Sequence, residues 1–157
     1  MESTPIWQRS WIWRILKSLN RKKISGTEQA IGSGAIGILE SPVSEMEFLS
    51  ALKAKLKLDC IKYTSLLNKK ISKVALCGGS GRFLLSDAIQ QNADIFISSD
   101  FKYHEFFDAD NKIVIVDAGH YETEQFTKEL IFDTLKEKFN NFACFLSEVN
   151  TNPINYL

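Results

Sequence analysis

From residue 60 onward the chain repeats one pattern: a short apolar run, a turn marked by Gly or Asp, then a stretch with helical spacing. The runs at 60–64, 73–77, 94–98, 113–116 and 142–146 are brief and rich in β-branched or aromatic residues, which predicts strands rather than buried helices. Helical spacing fills the intervals at 81–91, 102–109 and 121–139, the last through Phe126, Leu130, Ile131, Leu135 and Phe139. Upstream, Ser44 followed by Glu47 makes a capping box ahead of Phe48, Leu49, Leu52 and Leu56, so a helix is predicted over 45–57. Alternation of this kind specifies a layered α/β domain: a sheet with helices on its faces and parallel strands joined by crossovers. The runs at 73–77, 94–98 and 113–116 are expected to be neighbours in that sheet.

The first 43 residues follow no such rhythm. Trp7, Trp11, Ile15 and Leu19 recur every four residues, which on a helix makes one apolar stripe with Arg14, Lys17 and Arg21 off it. All three tryptophans lie between 7 and 13, with basic residues concentrated around them, so 1–24 stands apart as a basic, Trp-rich tail. A membrane-surface or partner-docking helix would use such a stripe. The simpler expectation is a poorly anchored end whose apolar stripe packs on the domain or is not native to the fold, and which can be removed without loss of fold. Gly26, Gly32, Gly34, Gly37 and Pro42 mark 25–43 as a glycine-rich linker, leaving 44–157 as the folded lobe.

Composition narrows the function classes. The 157 residues are 45% hydrophobic and 24% charged, as in one soluble globular domain with its own core. Nineteen Lys and Arg balance nineteen Asp and Glu, so no global field draws the protein to nucleic acid or to an anionic membrane. No run approaches the roughly 20 apolar residues of a membrane span, and the interleaved charges near the amino terminus break the apolar core of a secretory signal. Cys60, Cys77 and Cys144 are odd in number and lie in apolar runs, so they read as small buried hydrophobes in a reducing, cytoplasmic setting.

Candidate chemistry gathers where predicted strands end. Asp117-Ala118-Gly119-His120-Tyr121-Glu122-Thr123-Glu124 follows the run at 113–116 and opens the longest helical stretch. His120 and Glu124, four apart on a helix, share a face and can reach one point. An imidazole and a carboxylate so placed are two legs of a Zn, Fe or Mn site, and equally the spacing of a solvated pair. Cys77-Gly78-Gly79-Ser80-Gly81 sits at another strand-to-helix junction, where glycines suit either an anion cradle or a tight structural turn. The remaining histidine, His104, follows a third strand end in Ser99-Asp100-Phe101-Lys102-Tyr103-His104-Glu105. It is placed to shuttle protons, to bind metal, or to do no more than bond its own helix end.

Three segments, VALCGGSG at 74–81, ISSDFKYHEFF at 97–107 and IVDAGHYETE at 115–124, resemble the carboxyl-terminal lobe of the Nif-three-like dinuclear metal-centre family. Members of that family are also known as GTP cyclohydrolase I type 2 homologues. The resemblance runs from about Ile31 to Leu157 and includes the ending Asn150-Thr151-Asn152-Pro153. It implies one half of a two-lobed α/β fold whose lobes face each other across a cleft holding two ions, Zn, Fe or Mn, with subunits arranged as a hexamer. It further implies His120 and Glu124 as metal ligands and His104 as a catalytic group lining the cleft. The family's other ligands, a paired-histidine motif and an aspartate, belong to the amino-terminal lobe; here the only histidines are His104 and His120. The expected partners are therefore that missing lobe or further copies of the chain, and a small-molecule, nucleotide-type substrate such as GTP. The implied function is the carboxyl-terminal half of a metal-dependent hydrolase-like protein, incomplete without its other lobe. Its alternative is a non-enzymatic assembly or regulatory module with a vestigial site.

Overall fold

A computed structural model describes residues 13–23, 30–139 and 141–157. At its centre lie three short parallel strands: β4 (Lys70–Leu76), β5 (Ile95–Ser98) and β6 (Val114–Asp117). They pair in the register Val74, Ile95, Val114 and Leu76, Ile97, Val116. Because both faces of a strand alternate at period two, Val74, Leu76, Ile95, Ile97, Val114 and Val116 feed one core while Ala75, Phe96 and Ile115 feed the other. This explains why these runs are continuously apolar: each face is covered. One face packs under helix α1 (Glu45–Leu56) through Phe48, Leu49, Leu52 and Leu56. The other packs under α2 (Leu85–Gln90), the 3-10 turn Arg82–Leu84 and the 3-10 segment Tyr103–Ala109.

The sheet extends beyond this centre on both sides. Strand β3 (Lys62–Tyr63) pairs antiparallel with β6 at one edge, and β2 (Ala30–Ser44) and β1 (Trp13–Lys23) add antiparallel strands at the other, giving the order β1-β2-β4-β5-β6-β3. The three strands expected to be neighbours are adjacent. Two expectations for the first 43 residues are corrected.

Residues 13–23 form a strand rather than part of a helix or a detachable tail. Leu19 is only 3% exposed, inside the core. Asn20 donates to Asp87 at 3.1 Å, and Gln91 donates to the Leu19 carbonyl at 2.7 Å, fastening β1 to α2. A spacing of four is a multiple of two as well as about one helical turn, so Ile15 and Leu19 share a face on either element. Trp7 and Trp11 lie outside the described residues. The second correction concerns the glycine-rich stretch, where β2 runs from Ala30 to Ser44 with a register shift between Ile38 and Val43. Glycine in a strand often marks a close approach. At Gly34, with φ of 64°, a side chain would meet Leu84 and the Leu76 carbonyl.

Downstream, α1 begins as the capping box requires, with the Ser44 hydroxyl accepting from the Glu47 N–H at 3.3 Å. The predicted helix at 121–139 is instead two, α3 (His120–Glu124) and α4 (Thr127–Lys138). At the joint, the Gln125 side chain donates to the carbonyls of Glu122 and Leu56. No strand forms at 142–146, where Phe142 and Phe145 are exposed and no neighbouring strand pairs with them. The thiols are free but not buried as expected: Cys60 is exposed, and Cys77 and Cys144 are half-buried. Among the described residues no helix is long and apolar enough to cross a membrane.

Candidate metal centre

Parallel strands deliver their carboxyl ends to one side of a sheet, and the loops beyond those ends are where open α/β sheets place ligands. Here β4 leads into the glycine loop Gly78–Gly81, β5 into Asp100, and β6 into Gly119 and His120. The three loops converge. Asp100 takes a left-handed backbone (φ 61°), which Asp tolerates better than most residues. Its Oδ2 lies 2.5 Å from His120 Nδ1. On the other side of the same ring, His120 Nε2 lies 3.3 Å from Glu124 Oε2, one helical turn further on.

This arrangement gives each ring nitrogen a separate task. With Nδ1–H donating to Asp100, the tautomer is set and Nε2 is left with a lone pair beside a carboxylate oxygen. Two donors each about 2.0–2.1 Å from a tetrahedral ion stand roughly 3.3 Å apart, which is the spacing found. A carboxylate behind a ligating imidazole is the usual outer support of such a site. The hydrogen bond to Asp100 raises the His120 pKa; burial opposes it, and the charges of Asp100 and Glu124 add to the rise. His120, Asp100 and Glu124 are each about half exposed, so these ion pairs add little to fold stability.

The glycine loop is a floor for this pair. A side chain at Gly79, whose φ is 62°, would place its first carbon 2.5 Å from Glu124 Oε1 and 3.3 Å from His120 Nε2. Two of the loop's amides are committed: Gly79 N–H donates to Thr123 Oγ1 at 2.9 Å and Gly81 N–H to the buried Ser98 hydroxyl at 2.8 Å. That hydroxyl in turn donates to the Gly79 carbonyl. These bonds give Cys77–Gly81 the form of a tight turn between β4 and the Arg82–Leu84 segment.

His104 stands on the Tyr103–Ala109 segment after β5, so both histidines follow the carboxyl ends of adjacent parallel strands. His104 is exposed and makes no side-chain hydrogen bond or ion pair with the described residues, whereas His120, Glu124 and Asp100 are brought together. Asp100 is the participant that sequence reasoning missed. The signal available was its position: an acid just after one strand end, beside the strand that ends at His120. Asp117 is buried and structural, paired with Lys62 at 2.8 Å and accepting from the amides of Phe101 and Gly119. Among the described residues no group of three or more His, Cys, Asp or Glu could hold an ion. A catalytic zinc site takes three protein ligands and a structural one four, so the residues present fit part of a site.

Comparison with known proteins agrees with this architecture. Curated relatives named GTP cyclohydrolase 1 type 2 homolog include one from Staphylococcus epidermidis, 34% identical over 133 residues, and one from Staphylococcus aureus, 30% identical over 131 residues. The matches take in 82% and 80% of this chain but 36% of each relative, so the chain spans little more than a third of their length. Among solved structures, a Staphylococcus aureus protein superposes with a TM-score of 0.71 at 27% identity, covering 82% of this chain and 44% of that one. A Bacillus cereus protein related to NIF3 gives 0.70 at 25% identity, covering 85% and 38%. The model of one family, Duf34/NIF3 (NGG1p interacting factor 3), matches residues 8–153, and the chain belongs to that family.

Proposed function

We propose that this chain supplies one side of a divalent-metal centre, with His120 Nε2 and Glu124 Oε2 as ligands and Asp100 orienting the imidazole. The observation that carries the reading is the 3.3 Å spacing of those two donors with Nδ1 already held by Asp100. Zn, Fe or Mn suits one nitrogen and one carboxylate oxygen. An ion held there supplies Lewis acidity toward a water and an oxyanion, the chemistry of metal-dependent hydrolysis. The relatives' names point to nucleotide-type substrates such as GTP for a completed site. His104, at the same end of the sheet, is assigned proton transfer in that cleft. The remaining ligands come from a second lobe outside these residues, since two side chains fall short of a full zinc set.

Equilibrium dialysis of the whole chain against zinc or manganese tests this. One weakly held ion is expected, lost in His120→Ala and in Glu124→Ala. Two ions retained against chelator by the chain alone would overturn it, because the ligands would then lie elsewhere. A second reading, an assembly module with a vestigial site, is favoured by α4, none of whose residues is buried and whose Ile131 and Leu135 are exposed. It predicts no metal uptake by the unchanged chain, and a change in oligomeric state when Leu135 becomes Glu.

A further inference from the structure

The His120–Glu124 pair lines one end of a groove of about 490 Å³, whose other lining residues the metal reading does not use. Its volume falls within the range of small-molecule sites. One wall is the α3–α4 rod, where His120, Glu124 and Lys128 follow one another at intervals of four residues. The other is the final segment, which presents Val149, Pro153 and Ile154 as an apolar surface.

That second wall is built rather than draped. The Asn152 side-chain amide donates to the buried Glu122 carboxylate at 3.0 Å, and the Tyr156 hydroxyl reaches the same oxygen at 3.3 Å. Side-chain turns brace it internally, with the Asn152 N–H donating to Asn150 Oδ1 and the Ile154 N–H to Asn152 Oδ1. The ending Asn150-Thr151-Asn152-Pro153 thus shapes one side of the groove. Glu122 Oε2 is buried without a hydrogen-bond partner among the described residues, so the clamp is held through one oxygen only.

Lys128 is the one lysine or arginine on the groove's lining, which it shares with His120 and Glu124. Its ammonium donates to the Ser147 carbonyl at 3.0 Å and pairs with no carboxylate among the described residues. It stands in the first turn of α4, where the helix dipole disfavours a cation and no side chain caps the free amides. Helix stability therefore does not account for a lysine there. An ammonium in no direct ion pair, at a helix amino terminus and in one groove with apolar residues, matches a ligand with one charged oxygen group and one hydrophobic body.

We infer that this groove binds a small organic anion, its carboxylate or phosphate on Lys128 and its apolar body on Val149, Pro153 and Ile154. Glu124 and His120 line the same groove as Lys128, so the other end of such a molecule lies beside the donor pair. The inference deepens the metal-centre reading and rests on it only for that far end.

The test is titration of the whole chain, by calorimetry in chelator, with 1-naphthyl phosphate, 1-naphthoate and 1-naphthol. Expected are binding of both anions, with whichever binds more tightly naming the preferred oxyacid, and naphthol binding about tenfold weaker. Lys128→Met should weaken the anions by about tenfold, the loss of one charged hydrogen bond. Asn152→Ala should weaken them too by loosening the wall, and Lys136→Met should leave them unchanged. Lys128→Met binding within about twofold of the unchanged chain, or naphthol binding as tightly as the anions, would overturn the inference. Failure of the metal reading shows separately, as absence of zinc uptake in a chain that still binds the anions through Lys128.

Discussion

His120 is the residue on which the chemistry turns, because its two nitrogens face two different acids. A proton and a cation compete for Nε2, and the hydrogen bond to Asp100 raises the pKa, so the proton competes up to a higher pH than for an ordinary imidazole near 6.5. Zinc affinity should therefore fall as pH is lowered, starting from a higher pH than for an ordinary imidazole. Asp100→Asn should move the midpoint of that fall down and weaken uptake at pH 8 by about tenfold; equilibrium dialysis across pH reads both, and an unmoved midpoint would deny Asp100 its role. Cys77 feels the same site from below. Burial raises its thiol pKa, and the Glu124 charge raises it further. Iodoacetamide at pH 8 should alkylate exposed Cys60 before Cys77, and Glu124→Gln should quicken Cys77, as followed by peptide mass mapping.

At the scale of elements, β1 offers the sharpest check. Leu19 is buried between β1 and α2, so Leu19→Ala should cost about 2–3 kcal/mol and lower the melting midpoint by roughly 5–10 °C. A thermal melt unchanged by that substitution would mean that the strand is peripheral. Sequence patterning located the parallel centre well, since runs such as Ile113 to Val116 are apolar on both faces and brief enough to be strands only. The Ser44 cap was equally readable, its partners being three residues apart. What was not readable has physical causes. A spacing of four serves both periods, which disguised β1. The glycines of β2 resemble a linker until the close approach at Gly34 is seen. Phe142 to Leu146 has a strand's composition but pairs with neither edge of the sheet. At the site, His120 and Glu124 were legible from their interval, whereas Asp100 lies twenty residues away and only the adjacency of β5 and β6 brings it near.

For the whole molecule, the sheet's function is to bring three strand ends to one place: a glycine floor from β4, an orienting acid from β5, and the donor pair from β6. What it gathers is one side of the proposed centre, in a chain spanning little more than a third of its curated relatives. An exposed apolar stripe on α4 and a groove beside the donors complete a surface suited to further partners. The proposed centre depends on His120, through Nε2, being a metal ligand. With only two histidines in the chain, nitrogen-15 NMR of the imidazoles during a zinc titration of the whole protein tests it directly. The prediction is a large shift at His120 Nε2, with Nδ1 keeping its proton toward Asp100 and His104 unmoved. A shift at His104 in place of His120, or at neither ring while zinc is taken up, would contradict it.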